Sequence, residues 1–137
     1  MEKNKVRGLN PEALAYAGDA VYELFIREML LESGTARVTN LHRRATGYVR
    51  AQAQAKAIKG IFAELTETEQ ALVKRARNHR FHSKAKNADP VTYKWATAFE
   101  ALIGYLYLSE ERERMIYIMK KAVEITEGKV REDGESC

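Results

Sequence analysis

The stretch from Ala98 to Leu108 constrains the fold most, because its side chains are apolar almost all round a helix. A helix without a polar face has to be covered on several sides. Strand-like alternation is nearly absent from the sequence, and prolines occur only at positions 11 and 90. We therefore predict an all-α fold in which this helix is covered on several sides.

The length of 137 residues fits one domain that spans residues 1–137 and has a core of its own. The tail from about residue 129 is expected to fray. The lone cysteine, Cys137, cannot form a disulfide within one chain, which fits a reducing compartment. Because no secretory signal or run of transmembrane length is evident, we expect a cytoplasmic protein with no membrane partner.

Capping residues mark the expected start of a first long helix. Asn10 fits the N-cap, and Pro11 fits the first helical position. The helix is predicted to end by Gly34. Helical spacing predicts that its apolar residues face the core. These residues are Leu14, Ala17, Val21, Leu24, Phe25 and Leu31.

Similar signals predict four further helices. The first begins at Thr39 or Asn40 and ends near Phe62, and the second runs from Thr66 through Ala76. The third starts at Asp89-Pro90, and the fourth runs from Glu110 to about Thr126. Gly47 and Gly60 are expected to bend or divide the first of them. Thr66 and Glu69 form a capping box, and Ser109 is a candidate cap for the last helix.

Two acids lie on otherwise apolar helix faces and define the candidate site. Asp19 follows Gly18, and a glycine inside a helix costs about 1 kcal/mol relative to alanine, which predicts close approach of another helix. Glu100 has small or apolar neighbours one turn away on either side, namely Ala96, Thr97, Ile103 and Gly104. The two carboxylates predict a shared site where helices cross, and a few oxygen ligands of this kind suit Mg²⁺.

Each acid also has an interpretation without a metal. Asp19 would then be exposed or paired with an arginine, and Glu100 would form a buried salt bridge, for instance with Arg27 or Lys94. Glu23 lies one turn after Asp19, within reach of a metal-bound water. An ion pair with Arg27, four residues further on, is the stronger expectation for Glu23.

Basic residues are concentrated in two windows that contain no acid, residues 33–63 and 70–88. They hold twelve of the 23 lysines and arginines, in a chain of net charge +4. Such segregation creates a positive field that attracts phosphate backbones, although a solvated surface is the alternative. The polar segment over residues 78–90 is predicted to be a loop, and loops of this length inside compact domains are usually functional or disordered. The predicted RNA-binding residues are Arg43, Arg44, Arg75, Arg77, Arg80, Lys84 and Lys86.

Two motifs carry a resemblance to a known family. They are Gly-Asp-Ala-Val at residues 18–21 and Phe-Glu-Ala-Leu-Ile-Gly at residues 99–104. The first resembles the signature of the ribonuclease III family, and the second resembles that family's second catalytic helix. The short chain and the Tyr-Leu-Tyr-Leu at residues 105–108 are similar to the Mini class, which lacks a double-stranded-RNA-binding domain.

This resemblance implies an Mg²⁺-dependent endoribonuclease that cuts double-stranded RNA and leaves 5′-phosphate and 3′-hydroxyl ends. Asp19 and Glu100 would be the catalytic residues and the metal ligands. Tyr16 and Thr97 lie beside the two motifs, where longer family members carry further acids. Tyr16, Thr97 and Glu23 are expected to lie next to the two metal ligands and to orient them.

The resemblance also implies partners. The expected assembly is a two-fold homodimer, with the helix from Pro90 to Leu108, including Tyr105 and Leu106, as the candidate interface. The expected substrate is a stem in precursor large-subunit ribosomal RNA, with a ribosomal protein as a candidate partner that presents it. The alternative is a non-catalytic helical module for RNA binding or ribosome assembly, which would have no need for two buried acids.

Overall fold

Seven helices make up the part of the chain that the computed structural model describes, which is residues 1–34, 37–80 and 89–128. Their bounds are α1 Lys3–Arg7, α2 Pro11–Glu32, α3 Val38–Val49, α4 Ala51–Ile61, α5 Glu67–Asn78, α6 Pro90–Leu108 and α7 Arg112–Thr126. A 3₁₀ turn, Phe62–Glu64, follows α4. The described ranges contain no strand, so the predicted all-α class is confirmed.

The predicted caps form at three helix starts. The side chain of Asn10 accepts a hydrogen bond of 2.9 Å from the backbone amide of Ala13. Thr66 and Glu69 make both bonds of the capping box, at 2.9 and 3.2 Å. Asp89 caps the first turn of α6 in the same way. These starts are encoded locally, because each cap satisfies backbone amides that have no partner inside the helix.

The helix predicted to reach Phe62 is divided, but at Arg50 rather than at a glycine. Arg50 has an extended backbone, with φ −66° and ψ 156°, and it separates α3 from α4. Gly47 and Gly60 both stay helical, so the prediction that they mark the break is wrong. The helix also begins earlier than predicted, at Val38.

Ser109 ends α6 instead of capping the last helix. Its hydroxyl is buried and has no hydrogen-bond partner among the residues described. Glu110 adopts a left-handed backbone with φ 62°, which a continuing helix does not allow. The last helix therefore begins at Arg112 and not at Glu110 as predicted.

Helix α6 is the centre of the fold, in contact with α1, α2, α4, α5 and α7. Every residue from Ala96 to Leu106 is buried except Glu100. Other helices of the same chain therefore cover the apolar surface that the sequence analysis assigned to a partner. Tyr105 is 9% exposed and Leu106 is 0% exposed, so the prediction that they form a dimer interface is wrong.

The core-facing side of α2 differs from the predicted one. Leu24 is 67% exposed and Leu31 is 59% exposed, whereas Tyr22, Ile26 and Leu30 are buried. The helix has apolar residues on two sides, and packing against α6 decides which side is covered. An apolar stripe is left on the outer surface of α2 as a result.

No helix in the described ranges is long and apolar enough to span a bilayer.

Candidate active site

The candidate site forms where α2 crosses α6 with the two backbones in contact. A Cβ atom on Gly18 would collide with the carbonyl oxygen of Glu100 and lie 2.8 Å from the amide nitrogen of Gly104. A Cβ atom on Gly104 would collide in turn with the carbonyl oxygen of Leu14. The predicted close approach at Gly18 is confirmed, and it places Asp19 beside Glu100.

The side chains of Asp19 and Glu100 approach each other across this crossing closely enough to interact. Burial, followed by the charge of Asp19, raises the pKa of Glu100 from 4.5 to about 8. Glu23 adds a weaker repulsion in the same direction. Near neutral pH Glu100 therefore retains its proton unless a cation balances the negative charge of the site.

The two members of this acid pair differ in exposure. Glu100 is partly buried, but Asp19 is exposed on α2, so the expectation of two buried carboxylates is wrong for Asp19. The crossing brings the Asp19 carboxylate up to the edge of the core without enclosing it. A ligand can therefore reach the acid pair from solvent without a change of fold.

Gln54 on α4 is a site residue that the sequence analysis missed. It is 3% exposed, and its side chain hydrogen-bonds to Glu100, which favours the ionised carboxylate. The neighbouring buried positions of α4 are Ala53, Ala55, Ala57 and Ile58. A lone amide among these apolar residues was the available signal, but sequence alone does not say which helix it faces.

The three residues expected to orient the metal ligands, Glu23, Thr97 and Tyr16, lie in different environments. Glu23 pairs with Arg27 at 3.6 Å, which confirms the predicted ion pair and leaves Arg27 engaged away from Glu100. The Thr97 hydroxyl donates a 2.9 Å bond to the backbone oxygen of Tyr93 within its own helix. Tyr16 is 86% exposed, on the outer surface of α2.

The donor set of the acid pair fits a hard cation. The described part of the chain has no group of three or more His, Cys, Asp or Glu side chains arranged to hold a metal. The described residues therefore do not form a site in which protein side chains supply every metal ligand. Two adjacent carboxylates, one of them open to solvent, suit Mg²⁺, which keeps several waters and shares phosphate ligands.

The predicted RNA-binding residues lie on two helices and the segment after the second. Arg43 and Arg44 are exposed on α3. Arg75 is exposed on α5, and the guanidinium of Arg77 lies 5.0 Å from the ring centre of Trp95. Arg80 is exposed just after α5. Two more of the predicted residues, Lys84 and Lys86, lie outside the described ranges.

The fold and site together define an all-helical domain with a carboxylate pair at a helix crossing, and comparisons with known proteins give its family. The Ribonuclease III domain matches residues 12–111. The chain belongs to the ribonuclease III family. This confirms the resemblance, and with it the prediction of an endoribonuclease.

Similar proteins include three that are named Mini-ribonuclease 3. The one from Symbiobacterium thermophilum is 49% identical over 87% of this chain and 92% of its own length. The Enterococcus faecalis protein is 50% identical over 78% and 83%, and the Streptococcus pneumoniae protein is 45% identical over 88% and 95%. A crystal structure of a Fusobacterium nucleatum protein has a TM-score of 0.78 at 30% identity, covering 87% of this chain and 91% of that one.

Proposed function

We propose that this protein is an Mg²⁺-dependent endoribonuclease that hydrolyses double-stranded RNA and leaves 5′-phosphate and 3′-hydroxyl ends. The observation that carries the proposal is the pair of adjacent carboxylates, Asp19 and Glu100, at the tight crossing of α2 and α6. Both members of the pair lie within the matched ribonuclease III domain. A module that only binds RNA gains nothing from two repelling carboxylates held at one point.

Asp19 and Glu100 would hold the cation, and each has a distinct part in the site. When bound, Mg²⁺ supplies charge stabilisation to the phosphate and lowers the pKa of an attacking water. Asp19, being exposed, meets the RNA from the solvent side. Glu100 is kept in place by the amide of Gln54 and by the α6 backbone packed against Gly18.

The basic residues would bind the RNA backbone without reading its sequence. Arg43, Arg44 and Arg80 are exposed, which leaves them accessible to phosphates. Double-stranded RNA is recognised mainly through shape, phosphates and 2′-hydroxyls, so a spread of arginines outside the acid pair is suited to it. The same function is proposed for Arg75, Arg77, Lys84 and Lys86.

The protein would act as a two-fold homodimer, with an interface other than the one predicted from α6. The exposed apolar stripe on α2 contains Tyr16, Leu24 and Leu31, and Val38 at the start of α3 is 78% exposed. This stripe shares α2 with Asp19, so an isologous contact here would bring two acid pairs onto one surface. Each pair would then cut one strand of a duplex.

The finer biological role rests on the family resemblance alone. The proposed substrate is a stem of precursor large-subunit ribosomal RNA in the cytoplasm, with a ribosomal protein as a candidate partner. The chemistry of the site does not depend on this choice, because phosphodiesters are the same in every duplex RNA.

The test is a cleavage assay with purified protein and an end-labelled RNA duplex of about thirty base pairs, long enough for both grooves to contact the protein. We expect cutting in Mg²⁺, none in excess EDTA, and restoration when Mg²⁺ is added back. The separate single strands should be cut poorly. Binding of the duplex without any cleavage in Mg²⁺ would favour the non-catalytic module.

A further inference from the structure

A second concave site lies between α1, α5 and α6, away from the acid pair. We propose that it is a nucleotide-binding pocket that holds a phosphate group between Arg7 and Arg75. The cavity has a volume of about 350 Å³. Its lining consists of Arg7, Thr68, Ala71, Leu72, Arg75 and Tyr105.

The two arginines bring uncompensated positive charge to one pocket. Within the described ranges, neither Arg7 nor Arg75 has an acid partner or a side-chain hydrogen bond. Glu69, which follows Thr68 on α5, is already bound by Arg114 at 2.8 Å. Two free guanidinium groups that line one cavity favour a ligand with a phosphate, which each can bind through two parallel hydrogen bonds.

The remaining lining favours a nucleotide over a bare anion. Ala71, Leu72 and Tyr105 make the floor of the cavity apolar, and a base can contact the exposed edges of Leu72 (7% exposed) and Tyr105 (9% exposed). Thr68 adds a hydroxyl next to Arg75 on α5. Pockets of small-molecule size begin at roughly 300 Å³, which suits one nucleotide and not a duplex.

The pocket is separate from the candidate active site. Tyr105 follows Glu100 by five residues on α6, which corresponds to a rotation of about 140° and a rise of about 7.5 Å in a regular helix. The two residues therefore face different sides of α6. Binding at the pocket does not need Mg²⁺ and is measured apart from cleavage, although the pocket shares Arg75 with the proposed RNA-binding residues.

The shared ligand chemistry has two sources, a free nucleotide or a single-stranded nucleotide at the end of an RNA substrate. The experiment is equilibrium dialysis of the full chain at about 0.1 M salt, which screens distant charges, with EDTA, which prevents metal-assisted binding at the acid pair. The probes are AMP, adenosine, inorganic phosphate and a 5′-phosphorylated RNA tetranucleotide. Tighter binding of AMP than of the tetranucleotide assigns the pocket to free nucleotides, and the reverse order assigns it to RNA ends.

Four variants locate the binding. Arg7→Ala and Arg75→Ala should each weaken binding of AMP or of the tetranucleotide by about tenfold, the loss expected for one charge-assisted contact. The matched controls are Lys5→Ala on α1 and Lys74→Ala on α5, which remove a charge from the same helices without touching the pocket. We expect less than about a twofold effect from each control, because distant surface charges are screened.

Arg7 and Arg75 are both exposed, so their removal leaves the core intact, and circular dichroism checks each variant. The proposal is overturned if neither AMP nor the tetranucleotide binds at millimolar concentration. It is overturned equally if the controls lose as much affinity as the pocket variants, or if inorganic phosphate binds as tightly as AMP. Arg7→Lys and Arg75→Lys should recover only part of the affinity, because lysine keeps the charge but not the two-point contact.

Discussion

Glu100 is held by an amide, and this neutral partner leaves a cation to balance the charge of the ionised carboxylate. A lysine or arginine at position 54 would neutralise the carboxylate and compete with a metal. The Gln54 side chain instead bonds to Glu100 from a position that is 3% exposed. We infer that Gln54 positions the ligand and does not itself touch the substrate.

The first prediction concerns this positioning contact. Gln54→Leu keeps the volume but removes the hydrogen bond, and we expect cleavage to fall by about 10–100-fold, as for other residues that orient metal ligands. The half-saturating Mg²⁺ concentration should rise as well, which a purely structural role would not produce. Gln52→Leu is the control, because Gln52 is exposed on the same helix. An unchanged Mg²⁺ requirement in the Gln54 variant would contradict the inference.

At the scale of elements, the site depends on how closely α2 and α6 approach. Gly18→Ala or Gly104→Ala would place a methyl group against backbone, where no side chain can turn away. We predict a loss of about 3 kcal/mol or more in the free energy of unfolding. Chemical denaturation measures it. Gly47→Ala is the control, because a Cβ there meets nothing within 4 Å, and it should stabilise by up to about 1 kcal/mol. Equal stability of the Gly104 variant and the wild type would refute the tight crossing.

A second element-scale prediction concerns the tie between α5 and α7. Arg114 donates two bonds to Glu69, at 2.8 and 2.9 Å. Burial alone would raise the pKa of Glu69, but the bonds from Arg114 and Thr66 outweigh burial and lower it below 4.5. Because the pKa is lowered on folding, the stabilisation is fully present above about pH 4.5 and is lost as the pH falls through the folded-state value.

Glu69→Gln should therefore cost about 2 kcal/mol at pH 7. The difference in melting temperature from wild type should shrink as the pH is lowered below 4.5. Glu67→Gln, an exposed acid in the same turn, should have little effect at any pH. If the difference in melting temperature stays constant from pH 7 to pH 3, ionisation of Glu69 does not contribute to stability.

The elements also show which parts of this structure local sequence can predict. Asn10, Thr66 and Asp89 each cap a helix through atoms within three residues, so their roles are visible in the sequence. The break at Arg50 and the outward position of Leu24 depend on packing between helices. Gln54 was missed for the same reason, because its partner lies on another helix, forty-six positions away.

At the scale of the whole molecule, the proposed function includes a two-fold homodimer. The stripe on α2 leaves Leu24 67% exposed, and we predict that Leu24→Asp yields a folded monomer with strongly reduced cutting of duplex RNA. Sedimentation of the wild type and the variant at micromolar concentration measures this. Ile116→Asp changes another partly exposed apolar residue, on α7, and should leave the dimer intact. A dimer that survives Leu24→Asp would place the interface elsewhere.

The central claim is that the acid pair performs the chemistry, and the most direct measurement is the rate of duplex RNA cleavage by Asp19→Asn and Glu100→Gln in Mg²⁺. Both variants keep the shape of the side chain and remove one charge, so folding should be preserved, as thermal melting can verify. We predict a loss of at least about a thousandfold for each, as expected when a ligand of the catalytic metal is removed. A folded variant that cleaves within about twofold of the wild-type rate would contradict the account.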